Sequence, residues 1–148
     1  MSLKENKAVA CRLVEQVWSK EDLDALAEIM SADCILHGFE ENGLEPYGRS
    51  VTNVHTSFPD WQFTIEDAIA EGDKVVVRWN ATGTNKGEWF GVPPTNKEMN
   101  WLGWTTVRIA EGKITEVWQL WSILWFFSQL GVSQPMKELV KLAKASQE

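Results

Sequence analysis

The sequence predicts an α+β domain in which helices pack on one face of a strongly curved antiparallel sheet, and three observations carry that reading. Apolar residues recur at helical spacing through the opening of the chain, up to Phe58. From Trp61 the pattern changes to alternation and keeps it as far as Trp121. Within that run, Asn100 to Ser122 reads NWLGWTTVRIAEGKITEVWQLWS, two halves rich in Trp, Val, Ile and Thr around Ala110-Glu111-Gly112, the pattern of a β-hairpin. A bent sheet partly closed by helices makes a cone with an open mouth, and a pocket comes with that shape.

Each element has its own signal. From Leu3 to Trp18, Ala10, Leu13, Val14, Val17 and Trp18 share a stripe, which predicts an amphipathic helix. Ser19, three positions before Asp22, resembles a cap for a second helix with Leu23, Leu26, Ala27 and Met30 as its buried stripe. Asp33 to Phe39 reads as a short strand and Glu40 to Pro46 as an acidic loop. Tyr47 to Ser57 predicts a third helix, with Val51, Val54 and Phe58 on one side, closed by Pro59. Trp61 to Ala70 and Lys74 to Thr84 are strands joined at Glu71-Gly72-Asp73, with Val75, Val77, Trp79 and Ala81 on one face of the second. Glu88 to Gly91 reads as a short edge strand, since Pro93 and Pro94 beyond it forbid a central ladder position. After the hairpin, Ser122 to Leu130 is very apolar and ends at Gly131, a helix C′ residue. Ser133 to Lys144 predicts a last helix with Met136, Leu139, Val140 and Ala143 inside.

Composition bounds the function. The 148 residues make one domain, 1–148, and 44% hydrophobic content suffices for one core. A net charge of −7 with scattered Lys and Arg repels a phosphate backbone, which sets nucleic acid aside as a partner. Nine Trp suit walls that hold flat or greasy ligands, and the same residues also fill cores. Cys11 and Cys34 lack C-x-x-C spacing and read as reduced thiols, which predicts a cytoplasmic location. The charged amphipathic start and the short apolar runs predict an untargeted chain with no membrane partner. Two isolated His without a carboxylate at ligand spacing predict no metal site, and the lack of a phosphate-cradling Gly loop removes several enzyme classes.

Faces of the hairpin depend on its loop. With three loop residues and Gly112 in a left-handed bulge, Ile109 stands opposite Lys113. Trp104, Thr106 and Arg108 then share a face with Glu116, Trp118, Leu120 and Ser122, whereas a slip of one residue, as a two-residue loop gives, inverts the grouping. Large aromatics beside an Arg and a Glu are the make-up expected of a pocket wall. The other face, Thr105, Val107, Ile109, Thr115, Val117, Gln119 and Trp121, is apolar enough to need a cover, and with Trp125 it implies a homodimer.

Five fragments resemble a known family. Phe58-Pro-Asp60, IAEGDKVVVRWNATGT (Ile69 to Thr84), GEWFGVPPTNK (Gly87 to Lys97), VRIAEGKITEVWQLW (Val107 to Trp121) and Gln129-Leu-Gly131 follow the order and spacing of SnoaL-like polyketide cyclases, which are NTF2-like cones. The resemblance covers about Asp33 to Gly131. It implies a hydrophobic small molecule as partner and cofactor-free intramolecular aldol closure of a polyketide ester. It also implies a cavity-facing side chain at His37 and an acid/base at Ser122, where the family has an Asp at the end of the last strand. A Ser hydroxyl does not ionise usefully near neutral pH without an activating neighbour.

The candidate catalytic residues are His37, Ser122, Arg108 and Glu116, and the candidate ligand-binding residues are Trp79, Trp104, Trp118 and Leu120. His37, one of only two His, is the best candidate for a general base, or equally a structural His at a strand end. Arg108 can orient a carbonyl or enolate oxygen, or pair with Glu116 across the hairpin, and in that pair Glu116 makes a poorer acid. His55 reads as surface or rim, and Asp60 as the cap of the turn after Pro59. Three functions fit: a cofactor-independent cyclase or isomerase acting on a ring-bearing or lipid-like carbonyl compound, a non-catalytic binder on the same scaffold, and a sheet-mediated interaction protein with a filled cavity.

Overall fold

The computed structural model describes residues 2–131 and 135–147, and in it the helical start opens on a capping box. Ser2 Oγ accepts the Glu5 N–H while the Glu5 carboxylate accepts the Ser2 N–H, which starts α1 (Leu3–Arg12). The helix then widens into π-helical turns, Leu13–Trp18, where periodicity predicts plain α-helix. Those turns bring Leu13, Val14, Val17 and Trp18 into burial together. Asp22 caps α2 (Leu23–Ile29) by accepting the Ala25 N–H at 2.9 Å. Its buried residues are Ala25, Leu26 and Ile29, and the predicted Leu23 and Ala27 are exposed instead. β1 (Met30–His37) begins earlier than predicted, as does α3 (Leu44–Ser57), which carries Pro46 in its first turn, where a missing N–H costs nothing.

β2 (Gln62–Glu71), β3 (Lys74–Thr84), β4 (Glu98–Ala110) and β5 (Lys113–Trp121) form an antiparallel meander. β1 joins the free edge of β5 in parallel, so the order is β1-β5-β4-β3-β2 and the sheet is mixed at one edge. The predicted edge strand at Glu88 to Gly91 does not form. In its place a single Trp89–Val92 bridge closes a tight turn ahead of the two prolines. α4 (Ile123–Gln129) ends before Gly131, whose φ of +88° is the left-handed stop expected there. In α5 (Pro135–Ala145), Leu139 and Val140 are 49% and 47% exposed and Ala143 is exposed, not inside. The predicted start at Ser133 and the side chain of Met136 lie outside the described residues.

Alternation decides the two faces of the sheet. Val75, Val77, Trp79 and Ala81 of β3 turn inward with Trp101, Thr105 and Val107 of β4 and Val117 of β5, and all are buried. α1 lies over β2 and β3, α3 against β1, and α4 against β4. In register across the sheet stand Trp79, Gly103 and Trp121. The Trp79 indole occupies the space a side chain at 103 would need: a Cβ there would lie 2.6 Å from Trp79 Cζ2 and 2.3 Å from the Leu120 carbonyl oxygen.

Because one of those contacts is backbone, Gly103→Ala should destabilise the fold by about 2–3 kcal/mol, the upper part of the range for overpacked cores. Urea unfolding measures it. A variant as stable as the parent would show that Trp79 moves aside freely.

Candidate active site

A cavity of about 820 Å³ lies between the inner face of the sheet and α3, within the size range of small-molecule sites. Strand alternation builds its apolar wall, with Trp79, Trp101 and Trp121 from β3, β4 and β5 and Phe63 from the start of β2, joined by Trp61 just ahead of that strand. Trp18 reaches it from the π-helical turns. The facing wall is the polar edge of α3, including Arg49, Ser50, Asn53 and Ser57. A buried relay joins the walls. Trp18 Nε1 donates to Tyr47 Oη at 2.8 Å, and Tyr47 Oη donates to Gln119 Oε1 at 3.2 Å. Burial pushes the Tyr47 phenol well above its ordinary pKa, so it stays a neutral donor. Glu40, Glu41 and Glu88 ring the mouth, where Arg49 pairs with Glu41. The rim is therefore net negative and opposes an anionic ligand.

On the outer face, four charged or titratable groups form a chain over one indole. His37 Nε2 sits 2.7 Å from Glu116 Oε1, Arg108 Nε donates to Glu116 Oε2 at 2.9 Å, and Arg108 Nη1 donates to Asp73 Oδ2 at 2.8 Å. The His37 ring stacks on Trp118 with centroids 4.7 Å apart and planes 5° from parallel. Arg108 Cζ lies 5.9 Å from the centre of the same Trp118 ring. Hydrogen bonds from His37 first and Arg108 second hold the Glu116 carboxyl below its usual range, and the Arg108 bond does the same for Asp73. The expected Arg108–Glu116 pair is present, lengthened at both ends.

This face is not the cavity wall. The expectation that Trp104, Trp118, Leu120, Arg108 and Glu116 line the pocket is corrected, because the helices and the cavity cover the opposite, apolar face. Trp104 and Leu120 are cross-strand partners, 47% and 74% exposed. An Arg, a Glu and a His among aromatics mark here a solvent-facing ladder, in which charges pair across strands. His37 follows the same parity, opposite Trp118 on β5, and so turns outward as well. Among the predicted site residues, Trp79 is the one found on the cavity.

The SnoaL-like polyketide cyclase family profile matches residues 8–130. The chain belongs to this family. Solved structures agree on the NTF2-like fold. AclR of Streptomyces galilaeus, a candidate hydroxylase, is 28% identical, with 88% of this chain and 98% of its own covered at a TM-score of 0.77. IdmH of Streptomyces antibioticus, a candidate polyketide cyclase, is 27% identical over 86% of this chain and 99% of its own, TM-score 0.76. A candidate SnoaL-like cyclase from Jannaschia sp. CCS1, 24% identical over 87% and 93% of the two chains, shares the fold at a TM-score of 0.79. No curated protein matches the chain.

Ser122, where the resemblance implied an acid/base, directly follows β5 and is the N-cap residue of α4, without a side-chain cap bond. Its N–H donates to the Leu102 carbonyl at 3.0 Å, while its Oγ is buried without a hydrogen-bond partner, so nothing there activates the hydroxyl. His55 Nε2 lies 2.7 Å from the Trp18 carbonyl oxygen, a bond that ties α3 to the π-helical turns. Asp60 does not cap its own turn. It accepts from the Thr84 N–H and Oγ at 2.6 and 2.7 Å, pinning the end of β3. Trp18, Trp61, Trp101, Trp121, Gln119 and Asn53 were not among the predicted site residues. Parity with Trp79 would have identified Trp101, Gln119 and Trp121. Among the described residues no three His, Cys, Asp or Glu side chains gather as metal ligands, and no helix is long and apolar enough to cross a membrane.

Glu116 and Asp73 have folded pKa values depressed below their unfolded values of about 4.3 and 3.9. Their stabilisation is complete above the unfolded values and is lost as pH falls through the folded ones. Glu116→Gln should therefore lower the melting temperature at pH 7 and flatten its decline below about pH 4.3. Melting curves from pH 7 to 3 test this, and an unchanged acid slope would remove Glu116 from the linkage.

Proposed function

We propose that the cavity binds a neutral hydrophobic compound bearing rings and a carbonyl group, and promotes its cyclisation or isomerisation by acid/base chemistry without a cofactor. The observation that carries this reading is the two-sided cavity, with a tryptophan wall facing the polar edge of α3. Indoles supply area for stacking, while the Asn53 amide and the Arg49 guanidinium supply donors for a carbonyl oxygen. The negative rim favours a neutral ligand. IdmH, a candidate polyketide cyclase of the same family, supports a carbonyl-rich class of compound. Binding without turnover is the second reading. It is favoured by the unactivated Ser122 hydroxyl and by the placement of His37, Glu116 and Arg108 on the outer face. Free Cys11 and Cys34, the latter thiol pushed up to about 12 by burial, suit a cytoplasmic location.

The cavity reading is tested by titrating 1,8-dihydroxyanthraquinone against tryptophan emission. Trp121→Ala should weaken binding about tenfold, equivalent to about 1.4 kcal/mol, while Trp118→Ala on the outer face changes it less than about twofold. The reverse ranking would return the site to the outer face.

We further propose a homodimer in which outer faces pack sheet on sheet. Trp121 faces inward, so the surface that supports this is Leu102, Trp104 and Leu120, which are 43%, 47% and 74% exposed on neighbouring strands. Sedimentation at micromolar concentration should give twice the chain mass, and a 16.8 kDa species would overturn the proposal.

A further inference from the structure

The loop from Asn85 to Lys97 arches past the cavity mouth, and it is tied down at both ends. Ser57 Oγ at the end of α3 donates to the Glu88 carbonyl at 2.6 Å, and the Ser57 carbonyl accepts the Lys86 and Gly87 N–H groups at 2.9 and 3.1 Å. The buried Asn85 side chain accepts the Thr95 N–H at 2.8 Å and the Thr95 hydroxyl at 3.0 Å. Trp89 stands edge-on to Phe58 of the core, centroids 5.7 Å apart. The loop is thus a preorganised arm.

At its tip is a two-residue turn closed by paired Trp89–Val92 backbone bonds of 3.0 and 2.9 Å. Both central residues have positive φ, +48° at Phe90 and +75° at Gly91. Such turns call for Asn, Asp or Gly, and a bulky aromatic in the left-handed region is an outlier that invites a functional explanation. Phe90 is also 68% exposed, so burial does not compensate for the strain. What the turn achieves is a placement. The Phe90 ring lies 6.3 Å from that of Trp121, with planes 20° from parallel, and both line the mouth of the cavity. Stacked carbon faces meet at about 3.5–4.0 Å, so at 6.3 Å between centroids the two rings cover little of each other. A flat ring held at contact distance between two faces needs them about 7–8 Å apart, so the exposed Phe90 side chain has to swing outward to admit one.

We propose that Phe90 and Trp121 form an aromatic clamp that selects ligands with a planar, conjugated ring over saturated ones of the same skeleton. The proposal rests on the cavity reading above and narrows its ligand class from ring-bearing or lipid-like to planar. Phe90 acts as a specificity-determining residue, since the rest of the tryptophan wall accepts apolar surface of either shape.

The test measures binding of 2-naphthol and of decahydro-2-naphthol, a matched flat and saturated pair, by quenching of tryptophan emission and by calorimetry. The parent protein should prefer the flat probe by about tenfold or more. Phe90→Leu, which keeps an apolar side chain on an exposed turn, should bring the ratio below about threefold chiefly by weakening the flat probe, and Phe90→Tyr should keep it. Equal binding of both probes by the parent, or an unchanged ratio in Phe90→Leu, overturns the clamp and leaves the cavity reading standing. If neither probe binds, the cavity reading fails and the clamp fails with it.

Discussion

The structure depends on the contact between Trp79 and Gly103. The absence of a side chain at 103 lets the Trp79 indole lie across β4, where its Nε1 donates to Thr105 Oγ1 at 2.9 Å and its ring meets Phe63 at 4.5 Å. One large side chain is thereby laid flat as a floor, with its polar atom satisfied inside the core. Trp101, two residues before Gly103 on β4, and Trp121, opposite Gly103 on β5, line the same cavity. Gly103 thus leaves room for the indole that forms part of the cavity wall.

Much of this was legible in the sequence, and the hairpin shows why. The expected three-residue loop set Ile109 opposite Lys113, whereas the chain uses a two-residue turn with Glu111 at φ +51° and Gly112 at +77°, which pairs Ala110 with Lys113. That change alone would have inverted every face assignment. A bulge one step later leaves Thr115 unpaired, so that Arg108 meets Glu116 and the inversion is undone. The grouping of Trp104, Thr106 and Arg108 with Glu116, Trp118 and Leu120 therefore survives, and at one position alone Ile114 takes the inward place given to Thr115. Alternation is robust because both faces repeat it. Loop length and bulges are decided by backbone angles over two or three residues, which hydrophobic pattern does not encode.

Which face points inward was the less legible step. Arg108, Glu116 and His37 among aromatics looked like site chemistry, yet charges that can reach one another across strands are satisfied at the surface, as the bonds from Glu116 to both neighbours show. The better signal was the need of α1 and α3 for an apolar surface to cover. The face with Val107, Val117 and Trp121 supplies it, continuous with Val75, Val77 and Trp79 on β3. Two further features left no pattern to read: the π-helical turns that bring Trp18 to the cavity, and the left-handed Phe90 at its mouth. Both depart from what local preference favours, and both lie on the site.

The same geometry bears on Ser122. Its Oγ lies in a place shut off from water with no donor or acceptor in reach. A carboxylate at that point, such as the resemblance to polyketide cyclases implies, would be disfavoured in its charged form by desolvation, and its pKa would rise toward the range in which a general acid or base works at neutral pH. Ser122 is not among the residues that line the cavity, and its hydroxyl has no neighbour that would activate it. An unpaired buried hydroxyl costs stability, on the order of 1–3 kcal/mol, without contributing a proton that moves near neutrality. In the proposed reading, the cavity walls have to add by positioning the ligand what the Ser122 hydroxyl does not supply as an acid or base. That demand falls on stacking surfaces and fixed donors, and it is to those that the described cavity gives its space.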